Sequence, residues 1–92
     1  MIRSFRHKGL QKLFLSGTPA GVRADHVRRL RLLLAALDTA CAIADMDLPG
    51  FGLHPLKGRE TGRWAVSVSA NWRLTFELQG EHVFAVDYED YH

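Results

Sequence analysis

Between residues 63 and 78 apolar and polar positions alternate in two runs. Trp64, Val66 and Val68 alternate with Ala65, Ser67 and Ser69, and Trp72, Leu74, Phe76 and Leu78 with Arg73, Thr75 and Glu77. A period of two with β-branched and aromatic residues predicts an antiparallel hairpin buried on one face. Residues opposite each other in such a hairpin share a face. A three-residue loop, Ser69-Ala70-Asn71, would set Val68 against Trp72, Val66 against Leu74 and Trp64 against Phe76. A two-residue loop would set polar positions against apolar ones. The spacing therefore predicts the longer loop, with Arg73 opening the second strand on the polar face.

The remaining pattern is helical before the hairpin and extended after it. His7, Leu10, Leu13 and Phe14 recur on one face of a helix over residues 7–16, which Gly17 and Pro19 end. Val27, Leu30, Leu33, Leu34, Leu37 and Cys41 make the apolar stripe of a stronger helix over 24–40, with Cys41 expected as a small core residue at its end. Leu32 falls among the exposed positions. Residues 2–5 read as an edge strand. His54 precedes Pro55 and is expected in an extended segment. Residues 83–88 return as a further strand with Phe84, Val86 and Tyr88 inward. This order predicts an α+β fold in one domain, 1–92, with an N-terminal strand and two helices packed on one face of a small antiparallel sheet.

Composition narrows the class. A hydrophobic share of 47% suits a globular chain. No apolar run approaches the roughly 18 residues of a membrane span. The opening MIRSFRHKG is charged and lacks a signal-peptide apolar region, so a cytoplasmic protein is expected. The lone Cys41 offers no disulfide framework. Net charge is only +2, but residues 1–31 carry Arg3, Arg6, Lys8, Lys12, Arg23, Arg28, Arg29 and Arg31 against Asp25 alone, while Glu81, Asp87, Glu89 and Asp90 lie near the other end. Such asymmetry suits a polyanion partner, and equally a solvated helix surface.

Five histidines invite a metal reading. None pairs at helical i, i+4 spacing, and there is no Cys-x-x-Cys, so no metal or cofactor is expected. His7 and His26 fall on or beside apolar helix faces, as core or boundary residues do, and His82 falls in a turn. His54 and Lys57 sit in a segment constrained by Pro55 and Gly58. Together with Arg73, Asp90, Tyr91 and His92 they would suit phosphodiester cleavage, if the fold brings them to one end of the sheet. A base takes the ribose 2′-OH proton, cations hold the charge on phosphorus, and an acid protonates the leaving oxygen. Spacing alone leaves scattered surface polar groups as the alternative.

Three blocks carry a resemblance. Residues 48–58 (LPGFGLHPLKG), 64–73 (WAVSVSANWR) and 86–92 (VDYEDYH) closely resemble the HigB branch of the RelE/ParE toxin superfamily. Residues 1–10 and the helix over 28–38 look like the same family, so the resemblance covers essentially the whole chain. It implies a bacterial type II toxin–antitoxin module and a toxin that cleaves mRNA on the ribosome without a metal. It further implies a helix-turn-helix, HigA-like antitoxin that meets operator DNA only within the complex. The family's active-site set falls on His54, Lys57, Arg73, Asp90, Tyr91 and His92. His92 or Asp90 would be the base, His54 or His92 the acid, and Lys57 and Arg73 the phosphate cations. The basic positions of residues 1–31 would contact ribosomal RNA. Ser69-Ala70-Asn71, Gly52 and Thr61-Gly62-Arg63 depart from the usual pattern and touch none of the six. The rival readings are a ParE-like gyrase inhibitor, a non-catalytic RNA-binding module, and an inactive toxin kept as a repression partner.

Overall fold

Helix α1 (Lys8–Ser16) begins where the His7 ring caps it, Nδ1 accepting from the Leu10 N–H at 3.0 Å. It ends at Gly17, whose φ of 74° lets its N–H return to the Leu13 carbonyl. The computed structural model describes residues 1–91. Helix α2 (Val27–Thr39) follows a tight 3-10 turn over Ala24–His26. Strands β1 (His54–Pro55), β2 (Trp64–Ser69), β3 (Trp72–Gln79) and β4 (His82–Asp90) pair antiparallel in sequence order. The helices pack on one face of this sheet, in the α+β arrangement the order of elements predicts.

The core is one cluster. Leu10 and Leu13 of α1 and Leu30, Leu33, Leu34 and Leu37 of α2 meet Val66, Leu74, Phe76, Val83, Val86 and Tyr88 of the sheet. Burying each such side chain contributes roughly 1.5–3 kcal/mol. Leu32 is exposed, as its helical position requires. Cys41 is not a core residue. α2 stops at Thr39, the chain turns extended at Ala40, and Ala40 is buried instead while Cys41 is exposed.

The hairpin differs from expectation at its tip. Val66 pairs with Leu74 and Trp64 with Phe76, as the alternation predicts. Trp72, however, pairs with Ser69, because the register shifts between Ser67 and Ser69. That bulge admits the shorter Ala70-Asn71 loop without turning the apolar run outward. A second bulge lies between Thr75 and Glu77, with Ala85 of β4 at a φ of 52°. One extra residue there flips the parity of β4. Val83 is therefore buried where Phe84 was expected, and Phe84 sits opposite Glu77 on the other face. Left-handed backbone is strained for alanine. Ser4 Oγ accepts from the Ala85 N–H at 2.8 Å, and Arg63 Nη2 donates to its carbonyl at 2.8 Å, which hold it there.

The N-terminal segment lies along β4 as expected of an edge strand, but as two isolated parallel bridges, Ile2 to Val83 and Phe5 to Val86. The Ala85 bulge between them breaks the ladder into two points. Asp38 of α2 accepts from the Ile2 N–H at 3.0 Å and ties this segment to the helical layer.

At the start of α1 two backbones touch. A Cβ on Gly9 would lie 2.3 Å from the Gly21 carbonyl oxygen. Helix propensity favours alanine over glycine by about 1 kcal/mol. The clash involves backbone, which cannot yield cheaply, and overpacking of this kind costs roughly 1–3 kcal/mol. Gly9→Ala is expected to destabilise the protein in urea unfolding, opposite in sign to its helix propensity.

Candidate active site on the open face of the sheet

The face turned away from the helices is built by strand parity. Ala65 and Ser67 of β2, Arg73 and Thr75 of β3, and Asp87 and Glu89 of β4 share it, and His54 joins through its pairing with Ala65. Ser67, Arg73 and Glu89 form one cross-strand row, with His54, Ala65, Thr75 and Asp87 in the next. Strand spacing and rise put His54 about 12 Å from Arg73 between Cα atoms. Long side chains can reach a common ligand across that distance.

Arg73 is the centre of the row. Its side chain is only 19% exposed. Glu89 Oε1 accepts from Nε at 2.8 Å and lies 2.8 Å from Nη2. The Tyr91 ring lies under the guanidinium, 4.7 Å from Cζ to centroid, a cation–π contact. Tyr91 is itself held at the hairpin tip. Its N–H donates to the Asn71 carbonyl at 3.0 Å and its hydroxyl to the Ala70 carbonyl at 3.4 Å.

His54 is exposed, and its Nδ1 lies 2.9 Å from the Gly52 carbonyl. A carbonyl only accepts, so Nδ1 carries the proton and Nε2 of the neutral ring is left as a free acceptor. Lys57 follows on the same segment, exposed and without a side-chain partner among the described residues.

Two arginines fix this segment, and the alternation alone identified neither for that role. Arg29 of α2 is half-buried. Its Nη2 donates to the Gly50 carbonyl at 2.7 Å and to the Ser67 carbonyl at 2.9 Å, and its guanidinium lies 5.2 Å from the Phe51 ring centroid. Arg63 is 4% exposed. It donates to Thr75 Oγ1 at 2.7 Å and pairs with Glu60 and Glu77, each at 3.2 Å. The Leu56 N–H donates to its carbonyl at 2.9 Å. The loop bearing Lys57 is thereby pinned to β3 and β4.

Asp90 does not join this row. It pairs with Trp72, on the helix side, and lines a cleft of about 360 Å³ with Arg23, Asp25, His26, Arg29, Ser69 and Trp72. Parity predicts that placement, since Asp90 shares the face of Tyr88. His92 lies outside the described residues. Glu89, beside Arg73, is the carboxylate the sequence reading passed over.

The basic positions of residues 1–31 divide. Arg3 donates to His82 Nδ1 at 3.3 Å, Arg23 pairs with Asp25 at 2.9 Å, and Arg31 donates to the Gly17 carbonyl at 3.2 Å. Hydrogen bonding to Arg23 holds the Asp25 carboxyl below its usual range. Arg29 is committed to the fold. Arg6, Lys8, Lys12 and Arg28 are exposed and free of partners among the described residues.

His26 is a satisfied core histidine, as its helical position suggests. It is 4% exposed, with Nδ1 2.6 Å from the Tyr88 hydroxyl and Nε2 3.1 Å from Ser69 Oγ. Among the described residues no group of three or more His, Cys, Asp or Glu side chains is placed to hold a metal. No helix among them is long and apolar enough to cross a membrane.

Two helices against a four-stranded antiparallel sheet, with cations and an imidazole on its open face, define the class of RelE-like α+β toxins. The chain belongs to the HigB-like toxin family. The family model described as the RelE-like toxin of the type II toxin–antitoxin system HigB matches residues 3–92. Membership in a toxin–antitoxin family carries with it an antitoxin partner. Among curated proteins, the chain is 46% identical to "Endoribonuclease HigB" of Proteus vulgaris over 92 residues, the full length of both.

Burial pushes the Tyr88 phenol above its ordinary value. The unfolded chain ionises this group near pH 10. The folded phenol keeps its proton longer, so its contribution to stability is present below about pH 10 and is lost as pH rises through the folded value. Tyr88→Phe is expected to flatten the alkaline fall in stability, measured by urea unfolding across pH 9 to 11.

Proposed function

We propose that this toxin is a ribosome-dependent mRNA endonuclease that cleaves by attack of a ribose 2′-OH on the adjacent phosphorus. The observation that carries the reading is Arg73, stacked on Tyr91 and sharing a sheet face with His54. The endoribonuclease name of the full-length relative supports it.

Arg73 and Lys57 hold the scissile phosphate and stabilise the charge that builds on it. Such charge stabilisation is commonly the largest single contribution to catalysis. Proton transfer falls to His54 and His92. Imidazole suits both directions, with an ordinary pKa near 6.5. A neutral His54 offers Nε2 as an acceptor, and a protonated one donates from the same atom to the leaving 5′-oxygen. Asp90 faces the helix side, away from Arg73. Tyr91 holds Arg73 on one face and offers its exposed edge to a base. No step calls for a metal or cofactor.

Arg6, Lys8, Lys12 and Arg28 are the cations available to ribosomal RNA phosphates. Such contacts position a protein without reading sequence. A helix-turn-helix antitoxin neutralises the toxin and brings it to operator DNA, and the toxin acts in the cytoplasm.

Induced wild-type protein should arrest growth. Lys57→Ala with Arg73→Ala should relieve the arrest while the protein stays folded, since one lost phosphate-stabilising group costs about 10²–10³ in rate. Undiminished cleavage of translated mRNA by the double variant would remove the site from this face.

A further inference from the structure

We propose that Glu89 is a positioning residue for Arg73, an inference that rests on the cleavage reading above. Glu89 is the cross-strand partner of Arg73 in the β3–β4 ladder, so the pair is set by sheet backbone. Its Oε1 takes the Nε and Nη2 edge of the guanidinium, at 2.8 Å to each nitrogen. Tyr91 takes one face of the same group. Among the described residues Nη1 is left without a partner. The cation is therefore fixed in plane and in tilt, with its remaining edge open to a phosphate.

Stability does not explain this arrangement. The Glu89 side chain is 41% exposed, and pairs open to water contribute little to folding. A carboxylate beside a phosphate site also weakens the attraction for RNA. What it supplies is orientation. An arginine has several rotatable bonds to immobilise, and a guanidinium already held in plane loses less freedom when it binds the phosphate. The pairing should therefore favour the chemical step more than the binding step.

That division is testable with the full-length toxin on programmed ribosomes under single-turnover conditions. Glu89→Ala should lower the cleavage rate at saturating ribosomes by about tenfold or more, within the roughly 10²-fold that a misplacement of about 1 Å can cost. Its half-saturating ribosome concentration should be unchanged or lower, because a repelling charge has gone. Glu89→Gln keeps one acceptor oxygen and should recover most of the rate. In an Arg73→Ala background, Glu89→Ala should add less than about twofold, since a residue acting through Arg73 has nothing left to position. Thermal melting would confirm that each variant is folded. A wild-type rate in Glu89→Ala, with Arg73→Ala inactive, would overturn the positioning role alone. Losses that multiply in the double variant would overturn it too, and would make Glu89 a proton-transfer group. A fully active Arg73→Ala protein would overturn both this role and the cleavage site.

Discussion

The buried guanidinium of Arg63 joins β3, β4 and the turn that follows Lys57. It lies on the sheet face away from the helices, hydrogen-bonded to Thr75 of β3, the Ala85 carbonyl of β4 and Glu77, and ion-paired with Glu60 of the turn that follows Lys57. A buried cation is tolerated only when its charge and donors are met. Here two carboxylates meet the charge and hydrogen bonds meet Nη1 and Nη2, while Nε lies 3.2 Å from Glu60 Oε2 as an ion pair without a hydrogen bond of its own. Three consequences follow from that one placement. Ala65 and Thr75 are covered on the side that lacks a helix. The left-handed Ala85 bulge is held at its carbonyl. The loop carrying Lys57 cannot lift from the sheet without exposing the guanidinium's partners.

Arg29 does related work from the opposite layer. It reaches from α2 past the edge of β2 to the Gly50 carbonyl, and Phe51 packs beneath it. The segment from Gly50 to Glu60 has only two residues in a strand, and depends on these arginines for its position. Chemistry placed on such a segment needs that order, because small displacements of a catalytic group cost large factors in rate. The helical core fixes the sheet, the two arginines fix the short strand, and Tyr91 and Glu89 fix Arg73.

Much of this was legible in the chain. Alternation in β2 and β3 gave Val66 against Leu74 and Trp64 against Phe76, and heptad-like spacing gave Leu30, Leu33, Leu34 and Leu37. Two of the errors share a cause. A bulge adds one residue and reverses parity, and no periodicity announces it; hence Phe84 in place of Val83, and Ser69 opposite Trp72. The apolar stripe of α2, extended to Cys41, runs two residues past the end of the helix at Thr39. Asp90 could have been separated from Arg73 by parity, since it alternates with Glu89 and falls with Tyr88. Arg29, Arg63 and Glu89 looked like any charged residues in a polar position. Their roles depend on which carbonyls and carboxylates meet them across the chain, which a linear pattern does not contain.

An active site on this sheet face would direct a ribose 2′-OH at the neighbouring phosphorus. The direct measurement is cleavage, on ribosomes, of an mRNA carrying a single 2′-O-methyl group at the nucleotide on the 5′ side of the mapped cut. The methylated message should remain bound and uncut at that position, while the matched unmodified message is cut to a 2′,3′-cyclic phosphate and a 5′-hydroxyl. Cleavage of the methylated position at the unmodified rate, or a 5′-phosphate on the product, would contradict the account.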